Sequence, residues 1–338
     1  MEKYPFVSVI ITTRGNREVL EKCLDSLAHV KYPQEKFEII LVPRKKLWFE
    51  EHENIKILYG VDYAHSRNQG AKIAQGSLLA FLDDDCIVPE QWLSKAVSYF
   101  FDPATSLIGG SALPFLKDKF SYRVGGYLLA SQFVCGFASS RYRVLSGIQE
   151  AKEYSLLTAN NVMRKDVFEA LSGFDVNQAP SEENDLYFRL KKQGYKLLYV
   201  PEIWVWHRAK PIFLPIAKRI FTYGAGRGVL ILRKPETIRI FYLIPVFFVL
   251  LAVSLFLLSL FFPMLFPLFF LLVFWYGILN FFHALLLFVK QERHPLVLFS
   301  VFLATPLIHF AYGIGVLYGM VLYFSGDYKK GIKLWTKE

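Results

Sequence analysis

An α/β domain with a largely parallel sheet, followed by a helical region built for a membrane, is the architecture this sequence predicts. Two observations carry the prediction. Short β-branched runs alternate with apolar residues at helical spacing over the first part of the chain, and residues 240–324 are almost entirely Leu, Phe, Val, Ile and Tyr. At 338 residues, with 54% hydrophobic and 17% aromatic side chains, the chain is long enough for two units and too apolar for an average soluble enzyme.

The elements follow in order. Val7, Ser8, Val9, Ile10 and Ile11 form a near-continuous β-branched run that ends in Thr12-Thr13-Arg14-Gly15-Asn16, as a buried parallel strand does before its loop. Asn16 can cap a helix in which Leu20, Leu24 and Leu27 recur at helical spacing, and residues 38–42 restore a strand, closing a βαβ unit. A short strand at 55–58 precedes a helix at 63–75, where Ala64, Ala71 and Ala74 are small packing residues and Gly76 is the stop. The apolar strand 77–82 then runs into Asp83-Asp84-Asp85, and Pro89 opens a helix with Trp92, Ala96 and Tyr99. An extended stretch at 155–163, a loop at 173–181, a helix at 183–193 and a strand at 196–200 complete the unit.

Beyond it, aromatic and aliphatic residues interleave with Lys218, Arg219, Arg227 and Arg233, the pattern of an interfacial helix. Residues 240–262 and 265–289 each match one tilted membrane helix. Residues 296–324 exceed an ordinary span and contain Pro306, so they read either as one kinked helix or as a re-entrant hairpin. The predicted boundaries are therefore an α/β unit at 1–208, an amphipathic connector at 209–239, about three spans within 240–324, and a basic tail at 325–338.

The formal charge of +10 is concentrated beside the apolar segments, at Arg208, Lys210, Lys218, Arg219, Arg227, Arg233, Lys234, Arg239, Lys290 and Arg293 and in the tail. That placement suits anionic headgroups and a cytoplasmic face, and argues against nucleic acid as a partner. The apolar run 6–11 is too short for a signal peptide and follows Glu2, Lys3 and Pro5. An integral protein of the cell membrane with its soluble unit in the cytoplasm is thus expected. Cys23, Cys86 and Cys135 lack Cys-x-x-Cys spacing and read as packed side chains, not as a disulfide or zinc framework.

Three consecutive carboxylates repel one another unless a cation offsets the charge. Hard oxygen ligands suit Mg²⁺ or Mn²⁺, which can bridge the phosphates of a nucleotide. Asp83-Asp84-Asp85 alone could equally be a solvated turn, but it falls at the carboxyl end of a strand, where open parallel sheets bind ligands.

Several motifs together give the chain a resemblance across residues 6–228. They are Val7 to Thr12; Ser66-Arg67-Asn68-Gln69-Gly70 with Ala74-Gln75-Gly76; Phe81-Leu82-Asp83-Asp84-Asp85; Gly173-Phe174-Asp175; Glu182-Glu183-Asn184-Asp185-Leu186 with Arg189-Leu190; and His207. In this order they resemble the family 2 glycosyltransferases of GT-A fold, a Rossmann-like nucleotide-sugar-binding α/β architecture. The resemblance implies that Thr12, Thr13, Arg14 and Arg67 line the nucleoside and phosphates of a nucleotide-sugar donor. It implies that Asp83 and Asp84 help hold that donor, with Asp83 near the ribose and the metal. Asp85 would be a direct ligand of Mg²⁺ or Mn²⁺, with His207 beside it. Glu183 would take the acceptor proton, a role that Glu182 or Asp185 could share or assume.

Two departures refine the resemblance. Residues 39–42 lead in this family to acids that help hold the base, whereas this chain continues Pro43-Arg44-Lys45-Lys46, which leaves the nucleobase open. The Gln-x-x-Arg-Trp of processive synthases does not occur before the spans, which favours addition of a single sugar. Trp204 and Trp206 read as packing residues, and Tyr223-Gly224-Ala225-Gly226-Arg227-Gly228 lacks the preceding strand of a dinucleotide fingerprint. The implied activity is inverting transfer of one sugar to a lipid-linked, polyprenyl-type glycan. Glycosylation of polyprenyl phosphate itself and a catalytically inactive nucleotide-sugar-binding scaffold are the alternatives.

Overall fold

The computed structural model describes residues 3–49, 51, 54–178 and 180–330. Within the expected basic tail, residues 331–338, including Lys333 and Lys337, lie outside the described residues. The chain divides into two compact units, one of Met1–Phe115 and Ser140–Arg208, the other of Leu116–Ser139 and Ala209–Glu338.

The first unit is α/β. Its elements begin with β1 (Val7–Thr13), α1 (Arg17–Ala28), β2 (Phe37–Pro43), β3 (Ile55–Ile57), α2 (Tyr63–Ile73), β4 (Leu78–Asp83), β5 (Cys86–Ile87), α3 (Trp92–Ser98), β6 (Thr105–Gly109) and β7 (Ala112–Pro114). Two short helices of the other unit follow in the chain, α4 (Phe120–Leu129) and α5 (Gln132–Cys135). The α/β unit resumes with β8 (Gln149–Glu150), β9 (Asn160–Arg164), α6 (Lys165–Ala170), α7 (Glu182–Lys192), β10 (Lys196–Tyr199) and β11 (Val205–His207).

Eight strands form one sheet in the order β3-β2-β1-β4-β9-β6-β10-β8. β1 pairs in parallel with β2 and β4, so that Thr12 lies beside both Val42 and Asp83. β9 runs antiparallel to β4 and to β6, which makes the sheet mixed where the sequence suggested a mainly parallel one. β1 and β2 are buried throughout, as β-branched runs covered on both faces must be. The helices start where their caps dictate: Asn16 accepts from the Val19 amide at 3.4 Å, and Asp62 from the His65 amide at 2.8 Å. Gly70 lets α2 lie directly on β1, since a Cβ there would sit 2.8 Å from Ile10 Cγ2. The buried Glu38 accepts from Ser8 Oγ, the Gln75 amide and Lys56 Nζ, each at 2.7 Å. Burial pushes its carboxyl up, and these donors outweigh burial and hold it below the ordinary range.

A second, three-stranded sheet has β11 at its centre, antiparallel to β5 and parallel to β7. It pairs His207 with Cys86 on one side and with Pro114 on the other.

The second unit is helical: α4 and α5 are joined by α8 (Leu214–Arg233), α9 (Ile240–Phe261), α10 (Phe266–Lys290) and α11 (Pro295–Ser325). Ile240–Phe261, Pro263–Lys290 and Pro295–Ser325 are long and apolar enough to cross a membrane, and are three candidate spans. Of the two readings of the last segment, the structure has the single helix, which runs for 31 residues through Pro306.

Leu116–Ser139, expected within the catalytic unit, groups instead with these helices. The reason is its long-range bonding. Arg123 Nη2 meets Glu292 Oε1 at 2.8 Å, and Ser131 Oγ and His283 Nε2 are 2.8 Å apart. The His309 ring lies 3.0 Å from the Phe133 carbonyl oxygen through Nε2.

The glycines of the connector also gain an explanation. Gly224 and Gly228 on α8 meet the α11 backbone, and Gly315 and Gly319 on α11 meet the backbone of α8 at Phe221 and Ala225. Small residues four apart on both helices permit this approach, and a Cβ on Gly224 would lie 2.5 Å from the Tyr312 carbonyl. Gly228→Ala, whose new methyl would strike the Val316 carbonyl, is expected to cost about 1–3 kcal/mol. Thermal unfolding in detergent measures it. Gly277→Ala on α10, with nothing within 4 Å of the added carbon, is the unperturbed control. Equal melting temperatures for the two variants would overturn this account of the packing.

Candidate active site

The carboxyl ends of β1 and β4 lie side by side and bring two predicted loops together. Asp83 closes β4 next to Thr12, while Asp84 and Asp85 form the turn into β5. The Thr13 hydroxyl donates to Asp84 Oδ2, and the Arg14 amide also donates to that carboxylate. Asp84 thus fastens the β1 loop to the acidic turn. Burial is the main reason its pKa rises to about 6; the Asp85 and Asp83 charges add to the rise, and the Thr13 and Arg14 donors oppose it. Gly15, at φ +74°, tightens the same loop by donating from its amide to Thr13 Oγ1 at 2.9 Å. Thr12 is buried, and its hydroxyl has no hydrogen-bond partner among the described residues; Arg14 is exposed at the rim.

Asp85 points to the second sheet. Its Oδ1 lies 3.2 Å from His207 Nε2, an approach fixed because β11 pairs with β5 immediately after the acidic turn. Both side chains remain partly exposed. Asp85, Cys86 and His207 each offer a ligand atom, all within 4.8 Å of one another. Cys86, however, is buried, its thiol donates to the Ala159 carbonyl at 3.5 Å, and burial pushes its pKa up. An uncharged thiol is a poor ligand for a hard cation. Carboxylate oxygen with imidazole nitrogen remains, a donor set that fits Mn²⁺ or Mg²⁺.

Arg67, on α2, links this edge to α7. Its Nη2 lies 3.0 Å from Asp83 Oδ1 and its Nη1 2.8 Å from Glu182 Oε1, with the guanidinium buried beside the Tyr63 and Phe174 rings. The resemblance places Arg67 along the nucleoside and phosphates of the donor; its fork also meets these two carboxylates.

The three acids of α7 occupy different surroundings. Asp185 is fully buried against Arg189 at 2.8 Å, and Arg189 also donates to the carbonyls of Leu171 and Gly173. That arrangement anchors the loop before α7, which Asn68 pins again through both polar groups of Phe174. Glu182 pairs with Arg67. Glu183 sits 3.5 Å from Arg141 Nη1 and keeps 12% of its side chain exposed. Ser181, at φ +85°, turns the chain sharply so that Glu182 and Glu183 begin the helix. A non-glycine residue in that region stores strain, a feature that gathers at functional sites.

Trp204 and Trp206 pack edge to face on each other at 5.0 Å, with Phe115 beside Trp206. The sequence motifs did not single out Arg141. It lies in a stretch with no periodic signal, and its partners come from distant parts of the chain.

A mixed α/β sheet whose edge carries an acidic turn facing a histidine, with a second set of acids on α7, has the arrangement of a GT-A fold. The description of Glycosyl transferase family group 2 matches residues 78–290, and the chain belongs to that family. It is 28% identical to Glycosyltransferase AglE of Haloferax volcanii over 239 residues, 66% of this chain and 73% of the relative. A Methanococcus voltae relative, named dolichyl N-acetyl-alpha-D-glucosaminyl phosphate 3-beta-D-2,3-diacetamido-2,3-dideoxy-beta-D-glucuronosyltransferase, is 21% identical over 339 residues, 95% of this chain and 97% of the relative. Among solved structures, the mannosyltransferase PcManGT from Pyrobaculum calidifontis, in complex with GDP-Man and Mn²⁺, shares the fold with a TM-score of 0.54. That likeness is at 14% identity and covers 99% of this chain and 88% of the other.

Proposed function

We propose that this glycosyltransferase is a divalent-metal-dependent, inverting enzyme that moves one sugar from a nucleotide-sugar donor to a lipid-linked, polyprenyl-type glycan. The observation that carries the reading is Asp85 facing His207 at 3.2 Å, on the same sheet edge from which Asp83 reaches Glu182 through Arg67. Asp85 and His207 would hold Mg²⁺ or Mn²⁺, with Asp83 nearer the ribose, and the ion would supply positive charge to the departing diphosphate. Thr12, Thr13 and Arg14 border the donor, and Asp84 keeps their loop closed.

The acceptor hydroxyl attacks the anomeric carbon from the face opposite the diphosphate. Its oxygen forms the new glycosidic bond, the bond to the diphosphate oxygen breaks, and Glu183 takes the hydroxyl proton. One carboxylate acting as base suffices for a single displacement, which inverts the anomeric centre. Glu182 orients the site through Arg67, and Asp185 stabilises α7.

A lipid-linked acceptor is supported by the three candidate spans and by the Methanococcus voltae relative, which matches nearly end to end and whose name specifies a dolichyl-linked sugar phosphate. Basic residues before the first span and between the last two favour a cytoplasmic catalytic unit. The test is thermal unfolding of the full chain in detergent with each nucleoside diphosphate, with and without Mn²⁺. Saturation at one hundred times Kd would add about 2.7 kcal/mol of stability. Stabilisation by one of them that requires Mn²⁺ is expected, and its absence with all of them would overturn the metal-dependent reading.

A further inference from the structure

We propose that Arg141 is a positioning residue for the reaction, one that aims Glu183. The inference rests on Glu183 being the base. Arg141 is 8% exposed and directs its guanidinium at acceptors from separate parts of the chain. Nε donates to the Tyr154 carbonyl at 2.7 Å, and Nη2 donates to Asn184 Oδ1 at 2.7 Å. Nη1 then faces Glu183 Oε1 at 3.5 Å.

The two short bonds lock the plane of the guanidinium, so its position is set independently of Glu183. The longer contact has a chemical consequence. Glu182 is clamped by Arg67 at 2.8 Å, whereas Glu183, at 3.5 Å from Arg141, is faced by the guanidinium without being gripped, which leaves room at its oxygens for a further donor. Asn184, the neighbour of Glu183 on the first turn of α7, is held by the same guanidinium. Arg141 therefore sets the direction of the base, without needing to touch either substrate.

The test uses the full chain in detergent, with donor turnover measured for Arg141→Gln, Arg141→Lys and Glu183→Gln. The kcat of Arg141→Gln should fall by about 30-fold, while the donor KM stays within about twofold. Arg141→Lys, which keeps the charge and loses the fork, should restore part of kcat.

A fall in kcat with no rescue by lysine, or one in which the donor KM moves with it, overturns the proposal and leaves Arg141 a packing residue. If Arg141→Gln does not fold, Arg141→Lys decides alone, since a lysine variant with no more than residual turnover contradicts the positioning role. If Glu183→Gln keeps full activity, the base reading fails and this proposal with it. If Glu183→Gln is inactive and Arg141→Gln is unchanged, only the present proposal fails.

Discussion

Glu183→Gln is expected to lower turnover by about 10²- to 10⁴-fold while the donor KM changes little, because a proton acceptor in the transition state is removed and donor contacts are left alone. Glutamine matches the size of glutamate and can still face Arg141, so the helix start that Ser181 turns into should survive. What it lacks is a basic oxygen. Steady-state release of nucleoside diphosphate by purified membranes supplied with lipid extract measures the loss. Retained Mn²⁺-dependent stabilisation by nucleotide shows in parallel that the donor site is intact. Turnover within a few-fold of the parent protein would remove Glu183 from the mechanism. Its neighbours then divide sharply, since Glu182 is committed to Arg67 and Asp185 to Arg189.

Asp85→Ala is the second change with a large expected effect, a fall of about 10³-fold in kcat/KM at ordinary Mn²⁺ concentration. Asp85 brings a hard, charged oxygen to the imidazole of His207, and without it the histidine is left as a neutral ligand that binds a hard cation weakly. Added Mn²⁺ should recover part of the loss if His207 and Asp83 still provide ligands. Titration of activity against Mn²⁺ reads this as a rightward displacement of the activation curve. An unchanged curve would mean that Asp85 is not a ligand.

The sequence made the first βαβ unit legible because β-branched runs and capped helices carry their own periodicity. The acids at the end of β4 were legible because the strand before them is wholly apolar. The spans emerged to within a few residues from hydropathy, a local property. Other features depend on pairing at a distance and leave no local mark. The antiparallel course of β9 is decided by which strands flank it, and nothing in Asn160–Arg164 encodes direction. Arg67 and Glu182 are 115 positions apart, so their ion pair could not be inferred from spacing. Arg141 is a further case, with partners at Tyr154 and Asn184. The glycines of α8 were visible as a cluster, but their use required the matching pair on α11. Pro306 suggested a break, yet α11 continues through it, as helices in apolar bundles can when neighbouring groups compensate the lost bond.

The assignment of Leu116–Ser139 to the helical unit bears on how the catalytic half could be obtained by itself. Cutting the gene after Arg208 would leave α4 and α5 attached but deprived of Glu292, His283 and His309. Val124, Leu128 and Leu129, all buried in the intact protein, would then face solvent as an apolar flap on the α/β unit. Such a fragment should precipitate or cling to detergent. A version of the α/β unit for crystallisation or inhibitor screening has to lose that flap too, with a polar linker in place of residues 116–139.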